Sequence, residues 1–250
     1  MRPVHRAAAV VFLLAATARL TAAAPDPPLA WANGLRAGSA PAAAVLAIDP
    51  VLSAAARAYA GELAAAGVLS HEGPADGSRP LDRYLRAGGT AFSVGEILGA
   101  GPDLAAIERA WETSPSHRKV VLDERYTHIG WGSAAAGKQQ VWVVMLARSV
   151  VAELALEDAG DALRVSGRLG PAGAARPWLD AGSGEVAPSS WDPSTRRFSY
   201  LVPLADGRAR FLLGCHDRYG DREATDSVTW PRGTASPAGG ARSSEPGPRP

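Results

Sequence analysis

The stretch WETSPSHRKVVLDERYTHIGWG, residues 111–132, places two of the chain's five histidines in short polar motifs between apolar positions. His117 follows Ser-Pro-Ser, and His128 precedes Ile-Gly-Trp-Gly. Ser114 followed by Pro115 is typical of a helix N-cap and first helical residue. The pair therefore predicts that His117 lies in the first turn of a short helix, where the backbone N–H groups disfavour imidazolium and leave a ring nitrogen free to accept a proton or a metal.

The residues around this stretch predict a domain that mixes helices and strands. Asp49 followed by Pro50 predicts the start of a long helix with one apolar face, and Gly67 predicts its end. The sequence VWVVMLAR is a nearly continuous apolar run of strand length, typical of a strand covered on both faces. Shorter helices are predicted at 80–87 and 103–112, and strands at 127–132 and 141–148.

The size and composition fit a globular protein with a buried core. The 250 residues are 46% hydrophobic and allow one large domain or two ordinary ones. The 26 basic and 25 acidic side chains give a formal net charge of +1, without a global basic field. The sequence therefore predicts no nucleic-acid partner.

Residues 1–24 have the layout of a secretory signal peptide. Basic residues precede an apolar run at 7–18, and small residues end at Ala24. The apolar run is shorter than the roughly 20 residues that a membrane-spanning helix needs. We expect cleavage near Ala24 and a secreted protein, extracellular or periplasmic, with no stable transmembrane span; a retained anchor is the alternative.

The apolar pattern changes after about residue 150. Over 151–231, apolar and polar residues alternate in short stretches separated by Gly, Pro and Asp, which predicts a small all-β, immunoglobulin-like sandwich. Cys215, the only cysteine, shares an alternating face with Phe211 and Leu213, so we expect a buried thiol and no intramolecular disulfide. Residues 232–250 lack apolar periodicity and are expected to form a disordered tail.

Three polar residues stand where packing alone does not require them. His71 lies in LSHEGPADGS directly after the long helix, Glu96 lies in SVGEI, and His117 lies in the opening stretch. Histidine and carboxylate side chains bind divalent cations and exchange protons near neutral pH. His71, Glu96 and His117 are therefore the candidate site.

At these motifs the chain resembles the CAP superfamily, named after cysteine-rich secretory proteins, antigen 5 and pathogenesis-related 1 proteins, in its bacterial secreted branch. The segment from Leu29 to Ser78 resembles the family's first two helices and first-histidine segment. VGEI is similar to the Gly-Glu-Asn motif, and AWETSPSHRKVVLDERYTHIGWG is similar to the Ser-Pro-Gly-His-Arg and Ile-Gly-Val-Gly signature. The resemblance runs to about Arg148 and covers the predicted mixed domain at 25–150.

The resemblance implies an α+β fold, an α-β-α sandwich with a central antiparallel sheet, whose surface cleft holds two histidines and one or two acidic residues. By position, His71 matches the first cleft histidine, Glu96 the acid of the Gly-Glu-Asn motif, and His117 the second cleft histidine. In the family this pair can hold a divalent cation, with the acid orienting a ring or a water. The resemblance thus implies a metal site of His71, His117 and Glu96, with zinc or another divalent cation as cofactor.

The chain departs from the family pattern at three positions. Ile97 stands in place of the usual asparagine, and Ser116 in place of glycine. Ser114 occupies the position where many members have a second acid, and neither Glu112 nor Glu72 can be assigned to that role. Two histidines and one glutamate bind zinc only with water completing the coordination shell.

Three functions of different classes remain open. In the first, the cleft binds a cation, a small molecule, a lipid or another extracellular ligand, and the β-sandwich serves extracellular recognition. In the second, a metal-dependent hydrolase holds zinc on His71 and His117 while Glu96, the candidate catalytic residue, activates water. The third is a structural extracellular module. The missing second acid favours the first, since a hydrolase must position water, metal and base together.

Other polar motifs give weaker indications of a function. Ser114 and Ser116 lie near His117 in sequence, but the chain has no Gly-x-Ser-x-Gly motif of a serine hydrolase. GAGPD, residues 99–103, lacks the full dinucleotide-binding pattern and is expected to form a loop. His128 is expected at a strand edge.

Overall fold

A computed structural model of the chain describes residues 27–170, 174–217 and 219–231. An N-terminal unit, residues 27–149, combines helices with one sheet, and a C-terminal unit, residues 150–231, is built from strands. The signal peptide predicted at 1–24 and the tail predicted at 232–250 lie outside the described residues. None of the described helices has the length and apolar character needed to cross a membrane.

The N-terminal unit contains one four-stranded sheet, ordered β1-β3-β4-β2. The pairs β3–β4 and β2–β4 are antiparallel, whereas the two-residue edge strand β1 is parallel to β3. The expected antiparallel sheet is therefore correct except at this edge. The elements are α1 (Pro27–Ser39), β1 (Ala47–Ile48), α2 (Pro50–Ala66), α3 (Pro80–Arg86), β2 (Val94–Gly101), α4 (Leu104–Thr113), α5 (Pro115–Val121), β3 (His128–Ala136) and β4 (Gln139–Ala147).

Helices cover both faces of this sheet, as the α-β-α sandwich requires. On one face, α2 packs through Tyr59 and Leu63 against alternate residues of β4 such as Met145. On the other face, Trp111 of α4 packs against the intervening residues of β4, among them Leu146, together with apolar residues of α1 and α5. Both faces of β4 are buried, which explains its continuous apolar run.

The long helix α2 has the predicted ends. The Asp49 carboxylate accepts hydrogen bonds from the backbone N–H groups of Val51, at 2.7 Å, and Leu52, and so caps the first turn. Gly67 ends the helix with a left-handed backbone, φ 68°, which glycine adopts without steric cost. The predicted N-cap and C-cap are both confirmed.

The glycines of the Ile-Gly-Trp-Gly motif allow α2 to lie directly on β3. A Cβ atom at Gly130 would overlap the backbone of Leu52 and Ser53, and one at Gly132 would overlap the backbone of Arg57. Only glycine permits this approach without moving the helix.

A buried arginine joins the ends of several segments on the opposite face. The guanidinium of Arg36, in α1, donates hydrogen bonds to the backbone carbonyls of Ala44, Val121, Asp123 and Tyr126 at 2.8–3.1 Å. The carbonyls lie after α1 and at or after the end of α5, and those of Val121 and Tyr126 belong to buried residues that need a donor. Arg36 thus fixes the loops that surround the start of β3.

The loop predicted at 99–103 is wrong for its first three residues. β2 continues through Gly101, and Gly99 pairs with Trp142 of β4. A Cβ atom at Gly99 would overlap the side chain of Ile107 and crowd that of Trp111, so the small residues let α4 approach the strand. Glycines that are typical of a loop here serve close helix packing.

The C-terminal unit is a sandwich of two antiparallel sheets, ordered β5-β6-β9-β8 and β11-β10-β7. Both sheets contribute to one core, which includes Leu163, Tyr200, Phe211 and Cys215. The predicted all-β sandwich and the buried thiol are confirmed. The strands are β5 (Val151–Asp158), β6 (Ala162–Leu169), β7 (Ala174–Asp180), β8 (Ser190–Asp192), β9 (Arg197–Pro203), β10 (Ala209–Asp217) and β11 (Arg222–Trp230).

The two units are joined by a buried carboxylate. Asp226 of β11 accepts hydrogen bonds from the hydroxyls of Thr90 and Ser149, both at 2.8 Å. The backbone N–H of Ser227 also donates to the Thr90 carbonyl at 2.8 Å. The sequence around residue 150 has no Gly/Pro linker, and the structure places direct polar contacts there.

Candidate functional site

The candidate site lies at one edge of the central sheet. β2 is the edge strand, and Glu96 belongs to it. His71 follows α2, in the helical layer on one face, and His117 lies in α5, in the layer on the other face. The two histidines therefore reach β2 from opposite layers.

The carboxylate of Glu96 is buried and has a partner on each oxygen. Oε1 lies 2.8 Å from Nδ1 of His71, and Oε2 accepts from Nη2 of Arg83 at 2.7 Å. Burial raises the pKa of Glu96, and the charge of Arg83 and the hydrogen bond from His71 act in the opposite direction. A buried carboxylate is stable only when paired in this way.

Arg83 holds the loop that carries His71. Its guanidinium lies over the ring of Tyr59, 3.4 Å from the ring centroid, and donates to the backbone carbonyl of Ser78 and, at 3.4 Å, to that of His71. The Tyr59 hydroxyl donates to the Ser70 carbonyl at 2.5 Å. One buried cation thus connects α3, α2, the histidine loop and Glu96.

Sequence reasoning did not identify Arg83. Glu96 could have pointed to such a residue, because a carboxylate in the middle of an apolar strand needs a cation buried beside it. The segment at 79–86 offers Arg79, Arg83 and Arg86, and the sequence does not distinguish them. Only Arg83 is buried.

Glu96 sets the tautomer of His71. The positive charge of Arg83 favours the carboxylate form of Glu96, and a carboxylate accepts hydrogen bonds only, so Nδ1 of His71 carries the proton. Nε2 then has the lone pair. The His71 side chain is 58% exposed, so this nitrogen is accessible to a ligand.

His117 lies in the first turn of α5, as predicted from Ser114 and Pro115. The Ser114 hydroxyl, however, lies 3.0 Å from that of Ser116 and caps no backbone N–H. The pKa of His117 is lowered by burial, and further by the nearby charge of His71. Burial therefore favours the neutral form of this imidazole.

The environment of His117 combines an unpaired polar atom with an apolar cavity. Its Nδ1 atom is buried and has no hydrogen-bond partner among the residues that the structure describes. The ring lines a cavity of about 290 Å³ between β2 and α4. The other lining residues are Leu98, Gly99, Ala100, Gly101, Pro102, Ala106, Ile107, Ala110 and Trp111.

The donor set at this site fits a divalent cation only partly. His71 and His117 offer neutral-imidazole chemistry, but both oxygens of Glu96 are already engaged. Across the described ranges, no group of three or more His, Cys, Asp or Glu is arranged to hold a metal ion. Two imidazoles fit a cation that is otherwise bound by water and do not fit the three protein ligands of a catalytic zinc.

The other acids near the motifs have separate partners. Glu112 accepts a hydrogen bond from Nε1 of Trp31 at 2.8 Å, and Glu72 lies 3.8 Å from the exposed Arg79. Ile97, in place of asparagine, is completely buried in the core. These contacts assign neither Glu112 nor Glu72 to the role of a second cleft acid.

Comparison with known proteins agrees with the motifs. Residues 14–146, just over half of the chain, match the model of the Cysteine-rich secretory protein family, CAP. A Bacillus subtilis (strain 168) protein, the uncharacterised YkwD, is 33% identical over 98 residues, which are 39% of this chain and 37% of that protein. The chain thus spans little more than a third of the length of this relative.

Solved structures with similarity include two bacterial proteins. An outer surface protein of Borrelia burgdorferi is 24% identical, with a TM-score of 0.45 over 49% of this chain and 90% of its own. An extracellular protein of Bacillus anthracis str. Ames that contains an SCP domain is 24% identical, with a TM-score of 0.43 over 47% of this chain and 38% of its own. With the helices, sheet and motifs described above, the match over residues 14–146 establishes that the chain belongs to the cysteine-rich secretory protein (CAP) family.

Proposed function

We propose that the chain is an exported binding protein whose cleft holds a divalent cation on His71 and His117, with the C-terminal sandwich serving extracellular recognition. The contact between His71 and Glu96 carries this proposal. It keeps Nδ1 protonated and leaves Nε2 of an exposed ring as an acceptor. A metal-binding histidine typically makes such a contact to a carboxylate.

Glu96 acts in this proposal as the group that orients His71. Arg83 and His71 occupy its two oxygens, and its side chain is only 1% exposed. A general base must reach the water that it activates, within a hydrogen bond's length. These contacts favour a binding site over the metal-dependent hydrolase.

His117 would supply the second imidazole. Its lowered pKa favours the neutral form that a metal requires, and its buried Nδ1 lacks a partner in the described part of the chain. The adjoining apolar cavity would accept the apolar part of a small ligand. A bound cation would supply a positive charge that attracts an anionic group of that ligand.

Export is proposed from the layout of residues 1–24. The two solved structures cited above are described as an outer surface protein and an extracellular protein.

The first test is calorimetric titration of the full chain with zinc. We expect one site of micromolar affinity that is lost in the His71→Ala/His117→Ala variant. The His128→Phe variant removes an imidazole outside the cleft and should bind zinc as the parent does. Nitrogen NMR should find His71 in the Nδ1-protonated tautomer before zinc is added.

Two results would overturn the proposal. Equal zinc affinity in the parent and in the double-histidine variant would place binding elsewhere. Zinc-dependent hydrolysis that a Glu96→Gln variant loses while it retains zinc binding would establish the hydrolase instead, because Glu96 would then act on water.

A further inference from the structure

A second cavity lies between the two units, away from the His71 cleft. Its volume is about 240 Å³, and it is lined from the N-terminal unit by the start of α2, the end of α3 and the first residue of β3. From the C-terminal unit it is lined by Val151–Leu154 of β5 and by Asp226. We propose that this interunit groove binds a primary ammonium group carried on an aliphatic stem.

His128 presents a hydrogen-bond acceptor to the groove. The Thr127 hydroxyl has a single proton, which it donates to the Ser149 carbonyl. The same hydroxyl oxygen lies 2.9 Å from Nδ1 of His128, so it must accept from a protonated Nδ1. Nε2 therefore carries the lone pair, and it has no partner among the described residues. A ligand that carries an N–H donor can form a hydrogen bond to this nitrogen.

Asp49 supplies negative charge beside this acceptor. One oxygen accepts from two backbone N–H groups of α2, and Oδ2 accepts from the Tyr84 hydroxyl at 3.0 Å. No Lys, Arg or His in the described ranges forms an ion pair with Asp49 or Asp226. The helix terminus offsets only part of a full charge. A ligand with a positive charge and N–H donors complements this lining.

Among the described residues that line the groove, none is a lysine or an arginine. Glu153 is paired with Arg168 at 3.1 Å and with Arg197 at 2.7 Å, so these cations are neutralised on the sandwich side. Glu153 has a left-handed backbone, φ 57°, at an irregularity of β5. Such a conformation is uncommon for a residue other than glycine and recurs at binding sites.

The apolar lining and the volume of the groove indicate what the rest of the ligand should be. Apolar side chains of Ile48, Val51, Val151 and Leu154 line the groove beside Asp49. They fit a stem of methylene groups. The volume is below the roughly 300–1,000 Å³ of sites for drug-sized ligands, so the stem must be short. A metal ion fits less well, because no group of three ligating side chains is present in the described part of the chain.

The test is calorimetric titration of the full chain with n-pentylammonium, with n-pentanol as the neutral match. We expect pentylammonium to bind at least about tenfold more tightly than pentanol, because a hydrogen bond to a charged group is stronger than one between neutral groups. Equal affinities would overturn the proposal. So would the absence of heat from pentylammonium up to about 20 mM, a concentration that detects millimolar binding.

The matched variants are Asp49→Asn and Asp103→Asn. Both residues are helix N-caps, and asparagine retains the cap, so neither change should unfold the protein. Asp49→Asn should weaken pentylammonium binding about 10- to 100-fold, whereas Asp103→Asn should leave it unchanged. His128→Phe should weaken it about 3- to 10-fold. Unchanged binding in Asp49→Asn would place the site elsewhere and overturn the proposal.

Two further titrations identify the source of the ammonium group and separate this groove from the cleft. Tighter binding of 1,5-diaminopentane than of Nα-acetyl-lysine N-methylamide would indicate a free amine, and the reverse order a lysine side chain. The His71→Ala/His117→Ala variant should bind pentylammonium as the parent does. Loss of binding there would overturn the proposal for this groove.

Discussion

Arg83 and Glu96 form a buried ion pair, with Nη2 of the arginine 2.7 Å from Oε2 of the glutamate and side-chain exposures of 5% and 1%. The pair is the centre of the candidate cleft, because the other Glu96 oxygen contacts His71. Burying two charges costs free energy that their mutual contact and their further hydrogen bonds offset. Stability should therefore depend on both partners being present.

Replacing Arg83 by leucine leaves the Glu96 carboxylate buried without its cation. We expect the free energy of unfolding to fall by about 3–5 kcal/mol, measured by urea denaturation. The control is Arg79→Leu in the same segment, where the exposed pair with Glu72 spans 3.8 Å, and it should change stability by less than about 0.5 kcal/mol. Equal losses in the two variants would contradict a structural role for the buried pair.

The contact between α2 and β3 predicts opposite effects for two glycine substitutions. Gly132→Ala forces a methyl group against the Arg57 backbone and should destabilise the protein by about 1–3 kcal/mol. Gly61→Ala, in the exposed part of α2, meets no atom within 4 Å and should stabilise it by about 0.5–1 kcal/mol. Thermal unfolding of both variants checks the signs, and a stable Gly132→Ala protein would refute the close approach.

The lowered pKa values of His117 and His128 predict a pH dependence of stability. Burial lowers both below the value of 6.5 that applies to an unfolded chain. Between the folded and unfolded pKa values, the unfolded state binds more protons, so the free energy of unfolding rises with pH. This contribution is present above pH 6.5 and is lost as the pH falls below it.

Urea denaturation across this interval measures the effect. The His117→Phe/His128→Phe variant should lose less stability than the parent between about pH 7.5 and pH 5.5, because the carboxylates that also titrate there are common to both proteins. Identical slopes would show that the two histidines have the same proton affinity in the folded and unfolded states.

Asp226 predicts that the two units unfold together. Asp226→Ala leaves the Thr90 and Ser149 hydroxyls without their acceptor and should cost about 2–3 kcal/mol. It should also split one calorimetric transition into two. Asp192→Ala, which removes an exposed carboxylate bonded to Ser194 and Thr195, should keep a single transition. A single transition in Asp226→Ala would mean that other contacts couple the units.

The sequence predicted those features that depend on neighbouring residues. The Asp49 cap and the Gly67 terminus define α2 within a few positions, and the alternation of Phe211, Leu213 and Cys215 defines the buried face of a strand. Such patterns can be recognised from neighbouring residues alone, because the spacing of apolar side chains follows the repeat of the helix or strand that contains them. The motifs of His71, Glu96 and His117 predict a shared cleft, and of these residues the structure shows a direct contact between His71 and Glu96.

Features that depend on distant partners could not be predicted in this way. The Gly99 segment has the composition of a loop, but the side chains of Ile107 and Trp111 on the following helix require small residues in the strand. Arg83 and Asp226 are ordinary surface-type residues by sequence, and only folding brings them to Glu96 and Thr90. Whether a charged side chain is buried depends on a partner that is distant in sequence, so the local sequence does not show it.

Arg36 has a consequence for local opening of the fold. A single guanidinium donates hydrogen bonds to the carbonyls of Ala44, Val121, Asp123 and Tyr126. If one of these segments detaches and Arg36 moves with it, the other carbonyls lose their donor. The backbone amides that precede β1 and those that follow α5 should therefore exchange with deuterium at a common opening free energy, as one cooperative unit. The Arg36 side chain would then determine how often this edge of the sheet, at β1 and β3, opens to water.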